Sequence, residues 1–368
     1  MSSSTEGIIA PKAGEILTEC QVCDAAPPVP LSLCGGCRVV YYCCRNHQLE
    51  DRPAHKEACK EIVAAKAEVE KAKRELLGQN PDIFTPGPQN RFYGVFCSSG
   101  TGPTQDYIRT LTLCSKALLL VKTQQAVVNA LAINREMLRL ERRGIGAAVH
   151  ADQAIAPLLI RLDRDQEAYD FCAWWQSIPE RENADWLTSD KERPMLDLHG
   201  ADPLENMSQW FGEEAVSKNL IRASSVLLIL ARLFFGFRMA LEIQKRSPTL
   251  TTAEVLKKTA EVFPIDILQR HPEWLDVAEN REKLVKEIVI GANIIASSIG
   301  QYNKWYFFFL ENPHEKSKRA RKSIIRQSTP GSPEEAEDAF DLTHDAWLAT
   351  PGALDLVMGW AKSSGLRE

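Results

Sequence analysis

The stretch "CRVVYYCCRNHQLEDRPAHKEAC", residues 37–59, packs four cysteines and two histidines into two dozen positions. With the cysteines just upstream it gives a regular series: Cys20-x2-Cys23, Cys34-x2-Cys37, Cys43-x3-His47 and His55-x3-Cys59. A C-x2-C pair turns the backbone so that two thiolates converge on one tetrahedral ion. Donors with three residues between them sit one turn apart on the same face of a helix and again present two ligands together. Four pairs make eight ligands, enough for two closed zinc sites. Cys43 keeps the i, i+4 relation to His47, so it is assigned as the ligand and Cys44 as a spare thiol pointing away around the helix. Cys44 as the ligand is the alternative, and it breaks the regular spacing.

This pattern closely resembles the MYND zinc finger, an interleaved two-zinc module. The resemblance implies that Cys20, Cys23, Cys43 and His47 hold the first ion, and that Cys34, Cys37, His55 and Cys59 hold the second. Tyr42, Gln48 and Lys56 also suit the family. His47 stands where many members have cysteine, a change from sulfur to nitrogen that still closes the site. Cys44 takes a position usually held by a small residue. Arg52 stands where tryptophan is typical, a departure that touches the aromatic partner surface and leaves the metal untouched. The last ligand pairs of a RING finger are spaced differently.

A filled tetrahedron leaves no position for water or substrate, so both zinc ions read as structural. Structural zinc contributes on the order of 10–16 kcal/mol to folding such a module. That accounts for a fold in 40 residues poor in large apolar side chains. Arg38, Arg45, Arg52 and Lys56 balance Asp24, Glu50, Asp51 and Glu57, so six thiolates and two zinc ions leave the finger near −2. A DNA-reading finger needs a basic face. MYND fingers mostly bind proteins, some of them proline-containing peptides, so a protein partner is implied and direct nucleic-acid binding is not expected. The finger's own loop "APPVPLSL", residues 26–33, is expected to pack on the body.

The chain has 368 residues, 44% apolar and 25% charged, with net charge −5. That is the composition of an ordinary globular protein with room for a body beyond the finger. Seven of its ten cysteines lie between Cys20 and Cys59. The N-terminus has neither a basic n-region nor an apolar h-region, so no secretory signal is read and an intracellular, reducing compartment is expected, cytoplasm or nucleus unresolved. The most apolar stretch, 220–243, is interrupted by Arg222, Arg232 and Arg238 and reads as a buried helix. No membrane partner is expected.

The predicted organisation is a disordered tail (1–15), the finger (16–60), a solvated connecting helix (61–78) ended by Gly78, and a Pro/Gly-rich linker (79–105). An α-helical body (106–312), a basic flexible segment (313–333) and C-terminal helices (334–368) follow. The fold class is thus mostly α: a finger with a short hairpin, then an all-α body. In the body, Ala126/Val127, Ala130/Leu131, Ile133, Met137/Leu138 and Leu140 form an apolar stripe opposite Gln125, Asn129, Arg135 and Arg139. "APLLIRLDRDQEAYDFCAWW" resembles one tetratricopeptide-type hairpin turning at Asp163–Asp165, with Trp174 and Trp175 as core. Further helices are expected at 205–216, 218–246, 252–270, 272–290 and on to about 310. Ser332 followed by Pro333, Glu334 and Glu335 reads as a helix start.

The finger-plus-body arrangement resembles fungal MYND-finger proteins with uncharacterised helical regions, on "LLIRLDRDQEAYDFCAWW" and "DAWLATPGALDLV". The methyltransferase segments that accompany some MYND fingers are missing, as are HExxH, GxSxG and Walker patterns. The expectation is a non-enzymatic zinc-binding adaptor. The alternatives are a transcriptional regulator acting through partners in the nucleus, and an enzyme with an unrecognised site in the body. The basic run Lys316, Lys318, Arg319, Arg321, Lys322 and Arg326 reads as a solvated helix end; its functional reading is a nuclear-import or anionic-partner patch.

Overall fold

Strand signals are sparse in the sequence, and among the described residues the strands are confined to one hairpin: β1 (Ser32–Leu33) and β2 (Tyr41–Tyr42). They pair antiparallel, Ser32 opposite Tyr42 and Leu33 opposite Tyr41. Among the described residues, fourteen α-helices and one 3-10 turn make up the rest of the regular structure. The computed structural model describes residues 19–23, 25, 29–85, 103–140, 148–177, 198–205, 207–276, 278–315 and 328–363. The expected tail 1–15, linker residues 86–102 and the basic run from Lys316 to Arg326 lie outside them. The chain divides into two units, Met1–Asp152 and Gln153–Glu368, whereas the sequence suggested one body over 106–312.

In the first unit the expected connecting helix is the second half of one long helix, α1 (Arg45–Gln79), which begins inside the finger. Exposed Pro53 sits within it without ending it. A proline there removes one helical N–H, and solvent can satisfy the carbonyl left behind. Gly78 does not end the helix either. It stops at Asn80, which is extended (φ −147, ψ 99), as the residue before a proline prefers. Nor is it solvated all round: Ile62, Ala72 and Leu76 are buried. α2 (Pro103–Leu118) packs on α1, and α3 (Gln124–Leu140) packs on α2. Ala72, Leu76, Ile83, Tyr107, Ile108, Leu111, Met137, Leu140 and Ala151 form the shared core. Each large aliphatic side chain there contributes about 1.5–3 kcal/mol by leaving water. The α3 stripe buries Ala126, Val127, Ala130, Leu131, Met137 and Leu140 as its pattern predicts, together with Asn134, which donates to Ser115 Oγ at 2.9 Å and to the Ala130 carbonyl.

α4 (Ala148–Ile160) straddles the boundary, and α5 (Asp165–Ser177) follows a turn in which Asp163 takes a left-handed conformation (φ 55). Trp174 is buried core as expected, edge-on at 5.3 Å to Trp175, which is half-buried. After a 3-10 turn at Met207–Trp210 come α6 (Gly212–Lys218) and α7 (Leu220–Arg246). α8 (Thr252–Val262), α9 (Asp266–Arg270), α10 (Glu273–Asp276) and α11 (Ala278–Tyr302) follow. α12 (Lys304–Glu311), α13 (Pro333–Leu348) and α14 (Ala353–Ser363) complete the unit.

α7 is the hub, packed by α5, α6, α8, α9, α11, α13 and α14. By length and composition it could cross a membrane, yet 89% of its most apolar window is buried inside the protein. Buried Arg232 is accommodated by Asp165, which takes Nε at 2.6 Å and Nη2 at 3.0 Å, by Asp163 at 2.8 Å, and by the Pro264 carbonyl and Thr350. Burial disfavours its charge, and the carboxylates of Asp165 and Asp163 outweigh that and raise its pKa. A second buried network joins α7, α12 and α13: the Tyr306 hydroxyl meets Ser224 and Thr343 and accepts from Trp347 Nε1.

Two helix boundaries depart from expectation. The helix foreseen at 252–270 breaks around Pro264, with Phe263 extended before it. The helices foreseen at 272–290 and on to about 310 divide elsewhere, into α10, α11 and α12, with Gly291 inside α11 where a Cβ would lie 1.9 Å from Met207 Sδ. Ser332 caps α13 as predicted, accepting from the Glu335 N–H at 3.2 Å.

Candidate metal centre

The hairpin and the first turns of α1 bring all eight predicted ligands into two groups. Cys20, Cys23, Cys43 and His47 form one, and Cys34, Cys37, His55 and Cys59 the other, with the donor atoms of each group within 4.8 Å of one another. The chain visits them alternately. Cys20 and Cys23 come from the loop before β1, Cys34 and Cys37 from the turn between the strands, Cys43 from just after β2, and His47, His55 and Cys59 from α1. Arg38 closes the Cys34–Cys37 turn with φ 57, and its N–H donates to the Cys34 carbonyl at 3.0 Å.

The donors fit tetrahedral zinc. Zn–S bonds of about 2.3 Å and Zn–N bonds of about 2.0 Å imply S···S edges near 3.8 Å and S···N edges near 3.5 Å. In the first group Cys23–Cys43 is 3.6 Å, and the His47 Nδ1 atom lies 3.5, 3.4 and 3.1 Å from the sulfurs of Cys20, Cys23 and Cys43. In the second, Cys34–Cys59 is 3.8 Å and Cys37–His55 Nε2 is 3.3 Å. Three thiolates and one imidazole fill each tetrahedron. The clusters therefore suit two zinc ions held structurally, with no vacant coordination position for a substrate.

The backbone prepares part of each site for a cation. Burial works against the Cys34 thiolate, but the N–H groups of Cys37 and Gly36, with His55 and Cys59, outweigh it and bring its pKa to about 6. Cys20 is likewise opposed by burial and lowered to about 6 by the N–H groups of Val22, Cys43 and Cys23 and by His47. Burial, with the charges of Cys34 and Cys59, pushes Cys37 up to about 12. At the second site the backbone donors favour the Cys34 thiolate, and metal must displace the protons of Cys37 and Cys59, both raised mainly by burial.

Cys44 is exposed and stands at the N-cap of α1, outside both groups. Arg52 is exposed on α1. Tyr42 is buried and donates to Asp51 at 2.6 Å. Gln48 Nε2 lies 3.8 Å from Cys34 Sγ. In the loop expected to pack on the body, Val29 and Pro30 are instead exposed.

Comparison with known families meets this geometry. Residues 20–59 match the MYND finger. That module is a protein-interaction zinc finger, and the two clusters described here coincide with its span. No curated protein and no solved structure matches the chain.

Three residues that serve the site carry no metal-binding signature. Lys66 donates to the Cys37 carbonyl at 2.7 Å, Thr123 to the Val39 carbonyl, and Tyr41 to Gln125 Oε1 at 3.4 Å. A signal for Lys66 was available. His55, Cys59, Ile62 and Lys66 recur every three or four residues, one stripe of α1. Thr123 and Gln125 are tied to the finger across more than 80 residues, and no local pattern announces that.

Proposed function

We propose that the protein is an intracellular adaptor without enzymatic activity, whose finger docks a protein partner while the helical second unit scaffolds another. The observation that carries this reading is the pair of four-donor clusters in a finger of the MYND type, which makes the metal a scaffold for a recognition surface. Apolar side chains stand out on that finger: Val29 is 44% and Leu49 53% exposed. Together with a finger near −2 overall, they suit a neutral or basic apolar segment, and a proline-containing peptide is the occupant the finger's type favours. In the second unit, the charge of Arg232 is taken up by Asp165 and Asp163 in an ion pair, a structural use of charge.

The test is affinity capture from cells with the full-length chain. Cysteine variants would disturb α1 as well, so Leu49→Glu and Arg52→Glu, both at exposed positions of the finger's helix, are the proper probes. A partner set lost with either variant at unchanged melting temperature supports docking through the finger. A partner list identical to wild type with both would refute it.

A further inference from the structure

We propose that the two zinc sites are unequal: the second locks the helical part of the first unit and holds its ion tightly, while the first exchanges its ion without unfolding that unit. The bonds leaving each site differ. Around the second, Lys66 of α1 clamps the Cys37 carbonyl, Thr123 at the start of α3 clamps the Val39 carbonyl, and Gln48 reaches Cys34. Cys34 is 5% and Cys37 0% exposed. Gly36 is so close to Cys59 that a Cβ would sit 3.0 Å from its sulfur. His55 and Cys59 lie on the stripe that continues through Ile62 and Lys66 toward the core of α1, α2 and α3.

The first site is tied more locally. The loop holding Cys20 and Cys23 bonds chiefly to itself, Cys20 N–H to the Ala25 carbonyl and Ala25 N–H to the Cys23 carbonyl, with Gln21 N–H to the Tyr41 carbonyl joining it to the hairpin. Cys20 is buried, but Cys23, Cys43 and His47 are all part-exposed. A closed zinc site exchanges ligands when an incoming donor reaches the ion and briefly expands its coordination. That approach is easier at the first site, where three of the four ligands are part-exposed, than at the second, where Cys34 and Cys37 are buried and only His55 and Cys59 are part-exposed. The interleaving separates the consequences. Residues 34–59 keep four donors of their own when the first ion leaves, so α1 stays anchored to the hairpin.

The experiment uses the zinc-loaded full-length chain challenged with a large excess of 4-(2-pyridylazo)resorcinol, with no stronger chelator present. Zinc release is followed with the same reagent, helicity by circular dichroism at 222 nm, and freed thiols by N-ethylmaleimide labelling and peptide mapping. Two phases of one equivalent each are expected, at least tenfold apart in rate. Cys20, Cys23 and Cys43 are labelled in the early phase, exposed Cys44 from the outset, and helicity falls only with the late phase. Thr123→Val and Lys66→Met are each expected to speed the late phase about tenfold and leave the early one unchanged, the scale on which outer-shell partners act. A single release phase, early labelling of Cys34, Cys37 or Cys59, or a late phase indifferent to both variants would overturn the proposal. A purified chain without zinc would overturn the metal assignment itself, and the starting stoichiometry reads that before any release is timed.

Discussion

Zinc loading of the second site should release about two protons at pH 7.5. The perturbation is zinc titration into the metal-free Cys20→Ser/Cys23→Ser variant, kept folded by a stabilising salt such as sulfate and checked by circular dichroism at 222 nm, which leaves Cys34, Cys37, His55 and Cys59 as the complete donor set. Cys34 has its pKa lowered from 9.0 to about 6. A lowered value contributes stability that is fully present above the unfolded pKa and is lost as pH falls through the folded one. Cys34 is therefore already ionised at pH 7.5. Cys37, at about 12, and Cys59, raised mainly by burial, still carry their protons. Binding must expel both, so apparent affinity should climb about 100-fold per pH unit between about pH 6.5 and 8.5, roughly 2.7 kcal/mol per unit. The slope should steepen below about pH 6, where the proton of Cys34 joins. Calorimetry in buffers of different ionisation enthalpy counts the protons directly. A count of three at pH 7.5 would refute the reasoning, because it would mean that the backbone donors do not hold Cys34 ionised before metal arrives.

Further outcomes follow from the second unit and from the finger's backbone. Asp165→Ala should destabilise the second unit by about 3–5 kcal/mol in urea denaturation by leaving Arg232 buried without its main partner, and Asp165→Leu with Arg232→Met should recover most of that; equal losses in both would contradict the ion-pair account. Gly236→Ala places a Cβ 2.6 Å from Ile265 Cγ2, so a loss of about 1–3 kcal/mol is expected, and a rise in melting temperature would exclude that crowding. Arg38→Gly relieves a left-handed residue and should stabilise the zinc-loaded finger by about 1 kcal/mol, read as slower unfolding in guanidinium.

The ligands were legible because metal chemistry fixes spacing: a tetrahedron admits few backbone routes between donors, and the regular spacing picked Cys43 over Cys44, although both stand before α1 and not on a helix face. The stripe on α3 and the Ser332 cap were legible for the same reason, since each rests on neighbours within a few residues. What escaped depended on distant neighbours. Gly78 read as the end of the connecting helix, yet α1 passes it, because the finger holds one end and the core of α2 and α3 the other. Gly291, inside α11, is a seat for the Met207 side chain. The bonds from Thr123 and Tyr41 join the finger to α3, and nothing in the sequence around either residue reports a partner more than 80 positions away. The same holds for Arg232, whose carboxylates arrive from the start of α5 and the turn before it.

The continuity of α1 has a consequence for how this chain can vary. The helix spans 35 residues, about 52 Å end to end if straight. Its first turns carry His47, His55 and Cys59, and its last turns carry Ala72 and Leu76. Both ends are fixed, so the stretch between them acts as a phase coupling. One residue inserted near Ala67 would rotate the finger by about 100° relative to the core and pull Val39 away from Thr123. Seven residues would return it to within about 20° but lift it by two turns. Substitutions along the solvent face leave the bearing of the finger unchanged. The constraint on this segment is therefore one of length, counted in whole residues, more than one of composition.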